Sequence, residues 1–353
     1  MDDKKEKEKV QDIVDKSMIS LGIDVGIVTG LYRAFEKHNR KCTSVQLAKT
    51  AGLKERYVRE WLGGMVAAEL IYLDENDEYT LPISAEYMES HGKASIGRLM
   101  SNHFHQLLEV MKDETKPGYD IYNVKGLTTF MESERERPGS LWYTGGSFVK
   151  DEIEPIINWR KKEAGKAIKL MDLGCGSGAV SFEIAKHIPD IEIVGIDENE
   201  SVIANANKRA QSNGLKSCSF EHCKGEDMSE KYNGSIDVVL MMDVLHDMAD
   251  SDACMQSIRK ILKPGGYIVA FDPPLHSNPR LNKGDLTYGG FYFISLFICL
   301  PNSLSRDAAI GHGMGWGYED RKKYVEDWGF KICKLSEEED VDEIKMRIVG
   351  QMI

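Results

Sequence analysis

The sequence lacks a membrane-spanning apolar run, a signal peptide and the basic excess of a protein that binds DNA electrostatically. Its longest apolar run, Phe291 to Leu300, is broken by Ser295 and is too short for a hydrocarbon core of about 30 Å. The charged start, Met1 to Lys9, has no apolar run behind it, which argues against a signal peptide. Lys and Arg number 45 against 57 Asp and Glu, a net charge of −12, whereas proteins that bind DNA or anionic membranes electrostatically carry a basic excess. We therefore expect a cytoplasmic protein that binds neither nucleic acid nor a membrane.

The cysteines form no recognisable framework. There are seven, an odd number, and no C-x-x-C pair occurs, so we expect reduced thiols and no disulfides. His222 beside Cys223 is the one arrangement that resembles part of a metal site. No second pair of ligands accompanies it, and zinc sites need one, so we predict no metal.

The length of 353 residues predicts two domains at about 150 residues each. The pattern changes near Lys166, from mostly helical to short β-branched runs that alternate with helical stretches, which indicates βαβ units. The predicted strands are Ile168–Leu173, Ile191–Ile196, Cys218–His222, Ile236–Met242 and Tyr267–Phe271, with two more at 330–335 and 345–352. The predicted helices between them are Ala179–His187, Glu200–Gln211 and Asp252–Leu262, and Lys263-Pro264-Gly265-Gly266 is expected to end the last one.

The first third of the chain has a different pattern. A capped helix start at Thr43, a second helix from Lys54 to Leu70, and a hairpin around Asp74–Glu78 together resemble a winged helix. Such modules usually bind DNA, but residues 41–83 hold five basic and seven acidic residues, which would repel phosphates. We therefore expect this domain, residues 1–90, to have a protein–protein or substrate-covering role, with residues 91–165 as linking helices that line a pocket.

A glycine-rich loop follows the first strand of the second half. It runs Gly174-Cys175-Gly176-Ser177-Gly178 and opens a helix. Glycines there let a ligand approach the backbone closely, although a tight structural turn would use them too. The pattern also fits the dinucleotide fingerprint, which ends in Gly or Ala.

Acidic residues follow the strands beside this loop. Asp197, with Glu198 next to it, ends the second strand, where it could accept hydrogen bonds from ribose hydroxyls or cap a helix. Asp172 precedes the loop, where a carboxylate could face a cationic ligand. After the third strand, Gly225-Glu226-Asp227-Met228 could hold an adenine ring, and Asp243 opens Asp243-Val244-Leu245-His246-Asp247 after the fourth.

This ordered set, from Ile168 to Asp272, resembles the class I S-adenosylmethionine-dependent methyltransferases. The resemblance implies an α/β fold, with a Rossmann-like methyltransferase sheet over residues 166–353 preceded by a mostly α winged-helix domain. It also implies S-adenosyl-L-methionine as cofactor. The cofactor-binding residues it implies are Asp172, Gly174, Cys175, Gly176, Gly178, Asp197, Glu198, Gly225, Glu226, Asp227, Met228 and Asp243.

The winged domain, followed by helices and then this domain, narrows the resemblance to small-molecule O-methyltransferases of the plant and hydroxyindole type. The segment Ser295 to Leu304, with Gly311 to Gly317, more closely resembles a related bacterial and invertebrate branch of winged-helix methyltransferases.

The small-molecule O-methyltransferases imply a homodimer, with residues 1–90 as the dimerisation domain, and a small-molecule methyl acceptor. They also imply catalytic roles for His246 as general base and for Asp247, and we expect Asp247 or Asp243 to orient the ring of His246. Met248 stands where the plant enzymes carry Trp, and no clear equivalent of their supporting glutamates follows Asp272, which puts O-methylation of a phenol in doubt. N-methylation is the close alternative, and His246 could instead only pack at a strand end.

Several aromatic and histidine side chains could line the acceptor pocket, although most could equally be core residues. They are His103, His105, Tyr119, Tyr122, Trp142, Tyr143, Tyr288, Phe291, Tyr292 and Trp316. Two other functions remain open: an NAD-dependent oxidoreductase, which the glycine loop permits, and a DNA-binding regulator with a vestigial cofactor domain.

Overall fold

A computed structural model describes residues 3–90, 97, 100–112, 116–121, 135, 143–165, 167–306, 309–334, 343 and 345–353. The chain divides into two compact units. The first comprises residues 1–102 with 138–140, and the second comprises residues 103–137 with 141–353. This division falls earlier in the chain than the predicted change of pattern near Lys166. No helix among the described residues combines the length and the hydropathy that crossing a bilayer requires.

The first unit is a small helical domain with a three-stranded sheet. Its elements are α1 (Asp3–Val28), α2 (Leu31–Glu36), β1 (Lys41–Cys42), α3 (Ser44–Ala51), α4 (Glu55–Ala67), β2 (Tyr72–Leu73), β3 (Tyr79–Thr80) and α5 (Ala85–Ser90). Thr43 and Gln46 form a capping box at the start of α3, as the sequence predicts. The hairpin pairs β2 with β3 in antiparallel register, and β1, which the sequence analysis missed, pairs with the other edge of β3.

The second unit is built on a seven-stranded sheet. Its helices are α6 (Phe104–Val110), α7 (Gly146–Phe148), a π-helical turn (Val149–Ile153), α8 (Glu154–Ala164), α9 (Ala179–His187), α10 (Glu200–Ser212), α11 (Ser229–Tyr232), α12 (Ser251–Ile261), α13 (Leu286–Ile294), a second π-helical turn (Ser295–Cys299), α14 (Leu300–Ser303) and α15 (Tyr318–Asp327). Its strands are β4 (Ile168–Leu173), β5 (Ile191–Asp197), β6 (Cys218–His222), β7 (Ile236–Met242), β8 (Leu262–Phe271), β9 (Phe330–Ile332) and β10 (Arg347–Met352).

The order of the strands is β6-β5-β4-β7-β8-β10-β9. The five strands β4 to β8 are parallel, and β10 is antiparallel to both β8 and β9. Apolar side chains on the two faces of this sheet form two separate core clusters, as a sheet covered by helices requires. The predicted α/β fold class with a Rossmann-like sheet is confirmed.

The chain order reverses between β4 and β7, which lie side by side at the centre of the sheet. In open α/β sheets, ligands bind at such a switch point, outside the carboxyl ends of the strands. The fold therefore brings the ends of β4, β5, β7 and β8 to the edge where the predicted site residues lie.

One prediction about β8 was wrong. We expected Lys263-Pro264-Gly265-Gly266 to be a turn before a strand at Tyr267, but β8 begins at Leu262 and includes these residues. They form an irregularity in the pairing with β7, where Ile236 pairs with Leu262 but Val238 pairs with Tyr267. Among these residues, Lys263 contacts the side chain of Asp237, which is fully buried.

Asp237 holds three parts of the second unit together. Its carboxylate accepts hydrogen bonds from Arg160 Nε at 3.3 Å, from the Lys169 backbone N–H at 3.1 Å, and from Lys263 Nζ. The contacts link α8, β4 and the irregular start of β8. Removing one partner of a buried ion pair is costly because the remaining charge stays desolvated.

We predict that Asp237→Asn lowers the free energy of unfolding by about 3 kcal/mol or more, because the buried Arg160 keeps only Glu163 as a counter-charge and Lys263 loses its pairing with Asp237. Urea unfolding followed by circular dichroism measures the change. The control is Glu192→Gln, which removes an exposed carboxylate that pairs with Lys169 and should change the free energy by less than about 1 kcal/mol. Equal effects of the two substitutions would contradict this role for Asp237.

Candidate functional site

The glycine-rich loop lies between β4 and α9 at the switch point. Gly174, Gly176 and Gly178 have φ angles of 69°, 54° and 81°, which side chains with a Cβ rarely adopt. A Cβ on Gly174 would lie 2.5 Å from Val244, whereas no atom of the described residues lies within 4 Å of the corresponding position on Gly176. The loop backbone is therefore pressed against the end of β7 at its start and open to a ligand at its centre.

Asp197 ends β5 directly beside this loop. Its Oδ2 accepts a hydrogen bond from the Gly176 N–H at 2.9 Å, and its Oδ1 accepts one from the Asn199 N–H at 2.9 Å. The side chain is 8 % exposed, and burial raises its pKa. The alternative that Asp197 caps the next helix was wrong, because Asn199 caps α10 through Ser201.

Asp172 lies one strand away, at the end of β4. It is buried, and its Oδ2 accepts a hydrogen bond from the Ser181 hydroxyl at 2.6 Å. Burial raises its pKa to about 6, while Ser181 and the charge of Arg135 act in the opposite direction. A positively charged ligand close to Asp172 would lower the pKa of this carboxyl group, because a positive charge favours its ionised form.

The four residues predicted to hold an adenine ring differ in their surroundings. Met228 is fully buried in a core cluster, Asp227 is exposed, and a Cβ on Gly225 would lie 2.7 Å from the sulfur of Cys254. The fourth, Glu226, lies 3.3 Å from Nη1 of Arg306. Only the exposed and half-buried acids of this segment are available to a ligand.

Arg306 is a site residue that the sequence analysis missed. Its guanidinium pairs with Glu226 and also with Glu198, two acids predicted to bind cofactor. It lies 80 residues or more after both acids in the chain, after α14, and no local motif marks it. The segment after α14 is therefore tied to the loops that follow β5 and β6.

His246 lies in a short 3₁₀ turn, Leu245–Asp247, after β7. Its Nδ1 lies 2.5 Å from Oδ1 of Asp272, and Oδ2 of Asp272 lies 3.6 Å from Nη1 of the buried Arg321. We expected Asp247 or Asp243 to orient the ring. The structure gives the closest contact to Asp272 instead, since Oδ1 of Asp243 lies 3.9 Å from Nδ1.

The other ring nitrogen of His246 is enclosed. His246 is 0 % exposed, and Nε2 lies 3.4 Å from Oδ1 of Asp247. Neither atom has a hydrogen-bond partner among the described residues. With Cys299, these two residues form a group whose potential ligand atoms lie within 4.8 Å of one another, and Asp243, His246 and Asp272 form a second such group. The site thus offers a buried, unpartnered nitrogen close to two groups that could hold a proton or a cation.

Asp243 occupies a strained position at the end of β7. Its φ angle is 63°, which is uncommon for a residue with a side chain, and its N–H donates to the Phe271 carbonyl at 2.7 Å. This backbone conformation turns the chain directly after β7 and precedes the contact between Val244 and the glycine loop. Strained backbone of this kind is concentrated at functional sites.

A cavity of about 510 Å³ opens next to Asp243. It lies at the ends of β7 and β8 and the start of β10, on the side of the sheet that carries the π-helical turn after α7. The residues that line it are Arg135, Tyr143, Thr144, Phe148, Glu152, Met242, Asp243, Phe271, Lys345, Met346 and Arg347. Of the aromatic residues predicted for the acceptor pocket, this set contains Tyr143.

The other predicted pocket residues take different positions. His103 stacks on Tyr119 at 5.4 Å, and the Tyr119 hydroxyl donates to the Phe297 carbonyl at 2.7 Å. Phe291 is buried, and Trp316 stacks on His312 at 3.6 Å. Tyr122 and Trp142 lie outside the described residues. His103, Tyr119, Phe291 and Trp316 thus pack against other residues of the second unit, and His105 and Tyr119 line a separate cavity of about 430 Å³.

The chain matches two family models. Residues 164–292 match the model described as a methyltransferase domain, and residues 17–88 match the model described as an Rv2258c-like winged HTH domain. Among curated proteins, it is similar to the ubiquinone biosynthesis O-methyltransferase of Acinetobacter baumannii, with 26 % identity over 132 residues. That match covers 36 % of this chain and 54 % of the relative, so the chain spans about half the length of that relative.

Two solved structures show the same fold over nearly the whole chain. One is a putative O-methyltransferase from Nostoc punctiforme, with a TM-score of 0.65 and 18 % identity, covering 98 % of each chain. The other is human N-acetylserotonin methyltransferase in complex with SAM, with a TM-score of 0.63 and 14 % identity, covering 98 % of this chain and 97 % of the human one. The predicted resemblance is confirmed at the level of domains and fold: residues 164–292 match a methyltransferase domain, residues 17–88 match a winged helix-turn-helix domain, and the chain shares its fold with these two solved structures.

Proposed function

We propose that the protein is an S-adenosylmethionine-dependent methyltransferase that methylates an oxygen or nitrogen atom of a small molecule. The observation that carries this proposal is the arrangement of the open glycine loop, Asp172 and Asp197 around the switch point between β4 and β7. The human structural neighbour was solved in complex with SAM, which supports the same cofactor for this chain. The matched methyltransferase domain supports the reaction class.

The residues at the switch point fit such a cofactor. Gly176 leaves the loop backbone open, and each carboxylate oxygen of Asp197 keeps a lone pair beyond its backbone hydrogen bond, so it can accept from ribose hydroxyls. Asp172, Glu198, Gly225, Glu226, Asp227 and Asp243 complete the proposed set with Gly174, Cys175, Gly178 and Met228. Met228 would act through the core, because its side chain is fully buried.

The cofactor supplies a methyl group that is already activated by a sulfonium, so the protein mainly positions the reactants and excludes water. Such positioning is worth about 7–11 kcal/mol of barrier. An acceptor hydroxyl or ammonium must also lose its proton, and we assign that proton to Nε2 of His246. Asp272, bound to Nδ1, fixes the ring and stabilises the imidazolium that forms. Asp247 and Cys299 enclose Nε2, so an acceptor reaches it only when this contact is displaced.

We further propose that the protein is a cytoplasmic homodimer whose partners are small molecules, without nucleic acid or membrane. The apolar residues on α1, among them Val14, Met18 and Leu21, are about half exposed or more, which suits an interface with a second copy. All seven cysteines are free, as expected in a reducing compartment.

Asp197 is proposed to bind the ribose hydroxyls of the cofactor, and this role can be tested by substitution. Asp197→Ala should weaken the binding of S-adenosylhomocysteine about tenfold or more, because one charge-assisted hydrogen bond is worth about 1.5–3 kcal/mol. Isothermal titration measures the affinity. The control is Glu200→Ala, which removes an exposed acid in the first turn of α10. Undiminished binding by the Asp197 variant, or no binding by the wild type, would refute the assignment.

Asp172 should make the affinity for S-adenosylmethionine depend on pH. The pKa of Asp172 is raised to about 6 by burial, so the carboxyl is neutral below that pH and negative above it. Binding of S-adenosylmethionine, whose sulfonium is positive, should therefore strengthen about tenfold from about pH 5 to about pH 7.5, following the ionised fraction. S-adenosylhomocysteine lacks that charge and should show a smaller change. In Asp172→Asn the difference between the two ligands should no longer depend on pH, and its persistence would contradict the role.

The role of His246 as general base can also be tested by substitution. His246→Gln should lower turnover about 10²-fold and leave the affinity for S-adenosylhomocysteine nearly unchanged. The assay is methyl transfer from labelled S-adenosylmethionine into a metabolite extract of the source organism, with products identified by mass. The matched control is His276→Gln, because Nδ1 of His276 also lies close to a carboxylate, 2.7 Å from Glu319.

Two outcomes would reject the base. One is unchanged turnover in His246→Gln, which would favour an amine acceptor that enters already deprotonated. The other is a wild type that loses its turnover on dialysis against EDTA and regains it with Zn²⁺, because His246 would then be a metal ligand.

A further inference from the structure

We propose that His246, Asp247 and Cys299 form a binding site for a divalent cation of the zinc type, and that this cation competes with the methyl acceptor for Nε2 of His246. The metal site rests only on the contacts of these side chains, whereas the competition rests on the proton-accepting role of His246 proposed above. Three features support the site: its ligand atoms, the contact behind the histidine ring, and the balance of charge.

The three side chains bring a nitrogen, an oxygen and a sulfur atom to one point. Nε2 of His246 lies 3.4 Å from Oδ1 of Asp247, and all three ligand atoms lie within 4.8 Å of one another. Ligand atoms that are about 2.0–2.3 Å from a tetrahedral zinc ion lie about 3.3–3.8 Å apart, so a small movement of the thiol completes the set. Cys299 ends the second π-helical turn, whereas the other two residues lie in the 3₁₀ turn after β7, so no spacing in the sequence marks the set.

Two of the three ligand atoms are buried without a hydrogen-bond partner. Neither Nε2 of His246 nor Oδ1 of Asp247 has one among the described residues, although they face each other. Buried polar atoms without a partner are uncommon and costly, and one metal ion between them would satisfy both. The Asp247 side chain as a whole is 28 % exposed, which gives an ion a route from solvent.

The contact behind the ring of His246 fixes which nitrogen is free to bind a metal. Nδ1 lies 2.5 Å from Oδ1 of Asp272, and a carboxylate accepts hydrogen bonds, so Nδ1 carries the ring proton. Nε2 therefore presents a lone pair towards Oδ1 of Asp247, which is also an acceptor. Histidine ligands of metal ions commonly donate their second ring N–H to a carboxylate in this way. A cation between Nε2 and Oδ1 would replace the repulsion of two acceptors by binding to both.

Charge favours this site over the neighbouring group formed by Asp243, His246 and Asp272. In that group Nδ1 already holds a proton for Asp272, and Nη1 of Arg321 lies 3.6 Å from Oδ2 of Asp272, so the guanidinium would repel a metal ion. On the Nε2 side, one carboxylate and one thiolate balance the two charges of the ion.

The donor set selects the class of ion. Nitrogen and sulfur ligands together suit Zn²⁺ and its analogue Co²⁺, whereas Mg²⁺ and Ca²⁺ prefer oxygen ligands. Burial and the charge of Asp247 raise the pKa of the Cys299 thiol, so the ion must displace the thiol proton as it binds. One proton leaves for each ion bound, and the ion occupies the lone pair of Nε2, which then cannot accept a proton from a methyl acceptor.

The probe is Co²⁺, which shares the ligand preferences of Zn²⁺ and absorbs in the near ultraviolet when a thiolate binds it. The full-length protein is dialysed against EDTA and titrated with Co²⁺, which Zn²⁺ should then displace. The wild type should bind one Co²⁺ per chain and show the thiolate band. Cys299→Ser should lose the band, and Asp247→Asn should keep it but weaken binding about tenfold or more, because a neutral amide is a poorer ligand than a carboxylate.

The matched control is Cys223→Ser, because Cys223 is partly exposed beside His222 and would be the place for adventitious binding. This variant should bind Co²⁺ as the wild type does. A wild type without the thiolate band overturns the site, and so does a band that persists in Cys299→Ser. If circular dichroism shows that Cys299→Ser is unfolded, unchanged Co²⁺ affinity in both His246→Gln and Asp247→Asn overturns the site instead.

Turnover tests the competition separately from the metal site. Zn²⁺ should inhibit methyl transfer by the wild type at the concentration at which it displaces Co²⁺, and EDTA should restore turnover. Metal binding without inhibition would overturn the competition and the role of His246 as base, but not the metal site. Failure to bind Co²⁺ would overturn the metal site and leave the methyltransferase function unaffected.

Discussion

The parallel pairing of β4 with both β5 and β7 is the constraint on which the rest of the second unit depends. In this register Asp172 lies beside Gly195 on one side and Leu240 on the other, so that three strands end at one edge. The glycine loop, Asp197 and the turn at Asp243 are close together only because of it. Apart from Lys169, Glu192 and the buried Asp172, the residues that make this pairing are buried and apolar or glycine, while further polar residues follow where the strands end.

The sequence predicted the parts of this arrangement that are local. Strands Ile168–Leu173, Cys218–His222 and Ile236–Met242 and helix Ala179–His187 have the predicted bounds. The turn predicted at Lys263–Gly266 failed for a non-local reason. Asp237 on the neighbouring strand binds Lys263, and this contact keeps a Pro-Gly-Gly segment within β8.

The sequence likewise predicted those residues of the candidate site that a local pattern marks. The glycine loop and the acids after β4 and β5 are marked by their position after a strand. Asp272 and Arg306 are not, because each acts on a residue that is distant in the chain. Asp272 could have been found from its position at the end of β8, next to the strand that precedes His246, once the strand order was known. Arg306 follows a short helix and has no sequence signal that distinguishes it from other surface arginines.

The two contacts of Arg306 connect regions with different tasks. Glu198 and Glu226 follow β5 and β6 at the carboxyl edge of the sheet, whereas Arg306 belongs to the long insertion between β8 and α15. Insertions of this kind are where related enzymes can diverge, because loops tolerate sequence change better than the strands that carry them. In this chain, an exchange of the insertion for that of a homologue would also replace the cation between the two acids. An insertion without a basic residue at position 306 would leave Glu198 and Glu226 without this shared cation.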